Sequence, residues 1–378
     1  MMTVGEPQDP PPSFVTEILA RPGGGYGRYP PIAGTPQLRK ACGDWLRRRY
    51  GLREGAIDPE TQILPLAGSR EGLFYAPFAL VPEEKGGGRP VVLIPNPFYG
   101  VYPAAALAAG AEPYYVPSRE HTNFLPDFSS VPESVLARTV AAFCCSPSNP
   151  ESACAGTEDW RRLFRLADEY DFTVLADECY AEIYDRIAPV GSLAVRLAAA
   201  PGCERLLSFH SLSKRSNLAG VRSGFMAGPR ELIANLRAFR NLAAPQIPVP
   251  VMEASAAAWN DDAHVAEARA LYAKRFDLAG RILGSRRGFR RPPGGFYLWL
   301  EVGDGAAFAA RLWRETGVRV MPGAFMAMEE FPGKPASNPG HARVRIALVH
   351  DLLTIGAALE RMAEILEAQD LEPMRRER

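Results

Sequence analysis

The chain has 378 residues, 47% hydrophobic and 23% charged, and its 43 Lys and Arg balance 43 Asp and Glu. This neutral balance offers no basic field for nucleic acid or an acidic membrane surface, and no apolar run reaches the ~20 residues that cross a bilayer. The opening MMTVGEPQDPPPSF lacks the basic-then-apolar order of a secretory signal, so a cytoplasmic protein is expected.

Residues 1–30 are rich in Pro and Gly, with one short amphipathic helix over Pro12–Ala20 and the run Gly23-Gly24-Gly25. They read as an arm lying on something else. Thr35 and Pro36 then suit the N-cap and first position of a helix reaching Tyr50. Leu38, Ala41, Cys42, Trp45 and Leu46 form its apolar face. Ile63-Leu-Pro-Leu-Ala-Gly-Ser-Arg reads as strand, glycine turn and helix start at Gly68, Ser69 and Arg70. Free N–H groups at a helix start bind phosphate, although many such turns bind nothing.

Strands and helices alternate from there. Val91–Ile94, Thr139–Cys144, Thr173–Asp177, Leu206–Phe209 and Ser223–Gly228 read as strands. Ala104–Ala109 and Asp159–Tyr170 read as helices between them. Continuous apolar strands separated by helices predict a mostly parallel sheet covered on both faces. Asn149, Asp177, Ser211 and Lys214 follow strand ends, the edge where open α/β sheets bind ligands. Ala254–Trp259 and His264–Leu278 suggest one long helix linking domains. Beyond Arg281, Gly294–Glu301, Val318–Met321 and Arg343–Val349 read as strands, and Gly305–Thr316 and Asp351–Ala368 as helices, of a smaller α+β domain. The expected division is an arm over 1–30, a large domain over 31–265 and a small one over 266–378.

Cysteines at 42, 144, 145, 154, 179 and 203 lack metal spacing and read as reduced thiols. The five histidines show no ligand spacing either. No metal is expected.

The stretch SFHSLSKRSNLAGVRSG places Lys214 in a polar turn with Ser211, Ser213 and Arg222. A lysine amine can form an imine with an aldehyde, while hydroxyls and a guanidinium take up a phosphate. Pyridoxal 5'-phosphate (PLP) needs these groups. It also needs a carboxylate at its ring nitrogen and donors at its phenolic oxygen. Asp177 can serve the first need, and Asn149 with Tyr180 the second. Singly, Asp177 also fits a helix cap, Tyr180 a core tyrosine and Asn149 a turn before Pro150.

From about Gly5 to His350 the chain resembles the class I/II aminotransferases of the fold type I PLP family. The resemblance rests on YPPIAGTPQLR, GSREGLF, SPSNP, ADECYAEIYD, SLSKRSNLAGVRSG and VRIALV. More narrowly, NPFYGVY, DECYAEIYD, FHSLSKRSN with GVRSGF, and AAWNDDAHVAEARALYAKRF resemble bacterial N-succinyldiaminopimelate aminotransferases. The resemblance implies an aspartate aminotransferase-like fold, with a seven-stranded, mostly parallel sheet in the large domain. It implies that Lys214 is the Schiff-base lysine, with Asp177 at the ring nitrogen and Asn149 and Tyr180 at the phenolic oxygen. Tyr99 stacks on the ring, and Gly68, Ser69, Arg70, Ser211 and Arg222 hold the phosphate. Tyr29 reaches the partner subunit's phosphate in a homodimer with shared sites. Arg345 forks the substrate α-carboxylate, with Asn149 and Gly5 beside it. Arg343, two residues away, is the alternative fork.

The implied activity is ping-pong transfer between glutamate and N-succinyl-2-amino-6-oxopimelate, for diaminopimelate and lysine synthesis. Other acceptors remain open (aspartate, alanine, aromatic or acetylornithine-like), as does a non-catalytic PLP-binding regulator. The chain departs from the family at Glu151-Ser-Ala-Cys, where Thr-Gly is usual, and at Phe239–Gln246, where substrate contacts often lie. Arg240 reads either as a distal carboxylate contact or as an ordinary helix-end arginine. The N-terminus is short for the family.

Overall fold

The structure, a computed structural model, describes residues 1–21, 25–199, 202–243, 246–286 and 288–376. Gly23 and Gly24 of the glycine run, and Ala244 and Pro245 of the divergent segment, lie outside the described residues.

Seven strands form the large sheet: β1 (Ile63–Leu66), β2 (Val91–Asn96), β3 (Glu112–Pro117), β4 (Thr139–Cys145), β5 (Thr173–Asp177), β6 (Leu206–Ser211) and β7 (Gly224–Ala227). Their order is β1-β7-β6-β5-β4-β2-β3. The strands from β3 to β6 run parallel, and β7 is antiparallel to both β6 and β1. Every residue of β2 and β4 is buried, because helices cover both faces and leave no solvent side to alternate toward. Separate apolar clusters fill the two faces, one around Trp45, Trp160 and Trp259 and one around Tyr102, Phe143 and Phe209.

The smaller sheet contains β8 (Tyr297–Glu301), β9 (Met321–Pro322) and β10 (Arg343–Ala347), in the antiparallel order β8-β10-β9. It packs under helices Gly305–Thr316 and Leu352–Arg376.

Local signals behave as their chemistry demands. Thr35 Oγ1 accepts from Leu38 N at 3.3 Å, and the helix Pro36–Tyr50 ends at Gly51 with φ of 63°. Three expectations change. The single linking helix is two, Val249–Asn260 and Ala263–Leu283. Asp261 separates them because its extended backbone ends the first, while its carboxylate accepts from His264 N at 3.0 Å to start the second. The strand expected over Val318–Met321 shrinks to Met321–Pro322, since β10 offers partners only at Val344 and Arg345. The helix expected from Ala104 begins at Val101.

Residues 1–9 lie across the junction of the two sheets. Met2 N donates to Arg319 O and Ala347 N to Met2 O, both at 2.9 Å. Further along, Asp9 accepts two bonds from buried Arg275 at 2.6 and 2.8 Å.

Candidate active site

The strand register sets the site. Cys145 lies beside Asp177 and Asp177 beside Phe209, so β4, β5 and β6 finish in one row. Beyond that edge is a cavity of about 700 Å³, ample for a cofactor with a small substrate. Ser69, Arg70, Tyr99, Asn149, Asp177, Tyr180, Ser211, Lys214, Arg222, Arg345 and Gly5 all line it. A smaller cavity of about 420 Å³, walled by Phe128 and Trp160, contains none of these residues.

Lys214 lies in the short helix Leu212–Arg215, directly after β6, with Ser211 as N-cap. Ser211 Oγ accepts from Ser213 N at 3.2 Å and fixes the turn. The Lys214 ammonium donates to the Gly5 carbonyl. Burial holds the lysine below its usual basicity, opposed by the Cys179 thiol and Glu6 and reinforced by Arg345 and Arg70. A lysine held this way spends more time as the neutral amine, the form that attacks a carbonyl or takes a proton.

Asp177 ends β5 on the cavity floor, 3% exposed. Its Oδ2 accepts from the Tyr102 hydroxyl at 2.7 Å and its Oδ1 from Cys179 N at 3.3 Å. Burial pushes its carboxyl upward, against the Tyr102 and Cys179 hydrogen bonds and the more distant Lys214 charge. Among the described residues it forms no ion pair. A buried carboxylate without a cation favours any protonated ring nitrogen placed over it.

Arg345 lies on β10, 6% exposed. Its Nη1 donates to Asn149 Oδ1 at 2.6 Å and its Nη2 to the Thr3 carbonyl at 2.5 Å. Its Nε is buried and unpartnered among the described residues. The guanidinium sits 4.4 Å from the Tyr297 ring centroid, and Tyr297 Oη lies 3.1 Å from Tyr180 Oη. Arg343 instead pairs with Glu301 and Glu120 at 3.3 and 3.4 Å and is absent from the cavity lining.

The glycine turn closes the other end. Gly68 has φ of 87°, and a Cβ there would meet Arg222 Nη2 at 2.5 Å, so only glycine fits. Arg222 donates to the carbonyls of Ala219 and Ala67 at 2.9 and 3.0 Å, which turns its guanidinium over the turn. Arg70 Nε donates to the Tyr99 hydroxyl at 2.7 Å.

Tyr29 stays apart, 98% exposed and outside the cavity lining. Arg240 is also elsewhere. It is 2% exposed, and it donates to Glu71 Oε1 at 2.5 Å and to the Ile32 carbonyl at 3.0 Å. Its helix is thereby tied to the base of the glycine turn; Arg240 stands in the last turn of that helix, as the helix-end reading has it, and does not line the cavity. Sequence reasoning missed Tyr102 and Tyr297. Tyr102 stands three positions after Tyr99, one helical turn away, a spacing that could have suggested a shared site.

The sequence pattern described as aminotransferase class I and II matches residues 2–362. The chain belongs to the class I and II aminotransferases. An aminotransferase from Neisseria meningitidis superposes with a TM-score of 0.90 at 38% identity, covering 97% of this chain and 91% of that one. An LL-diaminopimelate aminotransferase from Dehalococcoides mccartyi is 32% identical over 94% of this chain and 88% of its own length. A probable N-succinyldiaminopimelate aminotransferase from Thermus thermophilus gives a TM-score of 0.83 at 28% identity, covering 96% and 94%.

Aminotransferases of this family use PLP, and the residues of this aminotransferase fit it. Asp177 has no ion pair among the described residues, Lys214 has reduced basicity, and Gly68 leaves room where a Cβ would not fit. No group of three or more His, Cys, Asp or Glu side chains among the described residues could hold a metal ion. No helix among them is long and apolar enough to cross a membrane.

Proposed function

We propose that this chain transfers an amino group between glutamate and N-succinyl-2-amino-6-oxopimelate, as a cytoplasmic homodimer supplying diaminopimelate for lysine synthesis. The observation that carries the chemistry is that Lys214 and Arg345 open on one cavity above Asp177. PLP, when bound, supplies the electron sink for charge that develops at the substrate α-carbon.

The chain's own residues do the rest. Asp177 holds the ring-nitrogen proton. Asn149 and Tyr180 contact the phenolic oxygen, and Tyr99 covers the ring face. Ser69, Arg70, Ser211 and Arg222, with the N–H groups after Gly68, hold the phosphate, and the partner copy contributes its own Tyr29 there. Arg345 grips the α-carboxylate as a planar fork, which a lysine cannot imitate, with Gly5 close by. The Lys214 amine lifts the proton from the α-carbon and returns it to the carbon that carried the aldehyde. Positioned transfer of this kind is worth roughly 10²–10⁴-fold in rate. The donor leaves as a keto acid before the acceptor enters, hence ping-pong kinetics. We assign residues 31–265 to cofactor binding and 266–378 to the domain bearing Arg345.

The succinylated acceptor is supported by the subfamily stretches and by the Thermus relative. A second reading, LL-diaminopimelate as the substrate, is supported by the Dehalococcoides relative at 32% identity. Holoenzyme mixed with one amino donor at a time, with the visible cofactor band followed, separates them. Conversion by glutamate and N-succinyl-LL-diaminopimelate is expected. Conversion by glutamate and unmodified LL-diaminopimelate alone establishes the second reading, and no conversion by any of the three sinks both.

A further inference from the structure

Tyr297 opens β8 and is 2% exposed. Its hydroxyl meets the Tyr180 hydroxyl at 3.1 Å, with the two rings edge to face. Its ring face carries the Arg345 guanidinium at 4.4 Å. Across β8 and β10, Tyr297 pairs with Ala347 and Arg345 with Trp299, so tyrosine and arginine share one sheet face. Its backbone N donates to Ser152 Oγ at 3.1 Å, which anchors the strand end to the large domain. On the remaining side stands Gly5, where a Cβ would fall 1.7 Å from the Tyr297 hydroxyl. The side chain is boxed in on every side that matters.

We propose that Tyr297 is a positioning residue that sets Tyr180 and Arg345 together. This inference rests on the roles proposed above for those two residues. The hydroxyl and the ring act on different partners. Tyr180 has one hydroxyl hydrogen. When it points at an anionic phenolic oxygen, Tyr180 can only accept from Tyr297. Accepting a bond makes Tyr180 a stronger donor, so the Tyr297 hydroxyl lowers the basicity of whatever anion Tyr180 faces. The ring holds the guanidinium by cation–π attraction in a desolvated setting, which limits its tilt before a carboxylate arrives.

Tyr297→Phe keeps the ring and deletes the hydroxyl. In substrate-free holoenzyme, the pH midpoint of the visible cofactor band is expected to move upward by roughly half a unit, the size of one neutral hydrogen bond. KM for glutamate should stay within about twofold. Tyr297→Leu removes the hydroxyl and the ring together, and KM should then rise roughly tenfold. A residue that merely filled space would move neither midpoint nor KM selectively. Tyr180→Phe is the control. If it shifts the midpoint and Tyr297→Phe does not, the present proposal is overturned while the role of Tyr180 stands. If Tyr180→Phe leaves the midpoint unmoved, the role proposed for Tyr180 fails and this proposal falls with it. The Phe substitution changes no volume in the packed ring, so its spectral result decides the matter even where the Leu variant does not fold. A KM rise in Tyr297→Phe equal to that of Tyr297→Leu also overturns the division of labour.

Discussion

Asn149 and Arg345 are joined by a 2.6 Å hydrogen bond across 196 positions of sequence. It ties the loop after β4 to the middle of β10, and so ties the large sheet to the small one. The amide oxygen uses one arm of the guanidinium and the Thr3 carbonyl the other, while Nε is buried without a partner among the described residues. Arg345→Lys replaces the fork by a point charge that cannot serve Asn149 and a carboxylate together. KM for every amino donor should rise roughly 10–100-fold, the loss of one or two charged hydrogen bonds. Steady-state kinetics with glutamate checks this, and an unchanged KM would remove Arg345 from the role.

Tyr102 supports Asp177 by donating its hydroxyl to Oδ2 at 2.7 Å. Its ring is stacked on Phe143 at 4.4 Å, so the hydroxyl arrives at the carboxylate without freedom to turn. Tyr102→Phe leaves the stack and removes the donor. The Asp177 carboxyl should then rise further, weakening its hold on a protonated ring nitrogen. PLP affinity should fall by roughly 2–10-fold, measured by titrating cofactor into apo-protein. Equal affinities would mean that the tyrosine only packs.

Glu151 gives a pH test of stability. It is 3% exposed, its Oε1 has no partner among the described residues, and burial raises its carboxyl from 4.5 to about 7. Between those values the folded chain holds a proton that the unfolded chain has released. Stability from this group is therefore full below about pH 4.5 and is lost as pH rises toward 7. Glu151→Gln removes the titration. Its gain over the parent should be near zero at pH 4.5 and at most about 3 kcal/mol at pH 8. Thermal melts at the two values check the sign, and a gain confined to low pH would refute it.

Asp9 and Arg275 test how residues 1–9 are held. Arg275 is 2% exposed and receives both Asp9 oxygens. Asp9→Ala leaves a buried guanidinium without its anion, and stability should drop by roughly 3 kcal/mol. Hydrogen exchange should quicken at Met2 and Gln8, whose amides bond Arg319 and Val349. Unchanged exchange there would show that the pair does not anchor the segment.

The legible parts were those with a local chemical signature. Apolar runs closed or followed by Asn149, Asp177 and Lys214 revealed the sheet and its working edge before any tertiary contact was known. Thr35 and Gly68 announced themselves through a cap and a turn. β3 was missed because EPYYVP begins with Glu, carries two prolines and lies half-buried at the sheet edge, so neither alternation nor a full apolar run marks it. Asp261 was missed as a break because its capping role depends on which way a side chain turns. Tyr102, whose only local signal is its spacing from Tyr99, and Tyr297 were missed for another reason. Each reads as an ordinary core aromatic, and their partners Asp177 and Tyr180 lie 75 and 117 positions away. Only the fold brings those hydroxyls together.

The carbonyls of Thr3 and Gly5, which engage Arg345 and Lys214, have one more consequence. Through them four consecutive residues near the start of the chain, Thr3 to Glu6, wall the cavity. Removing that segment would open the site on one side as well as loosen the fold.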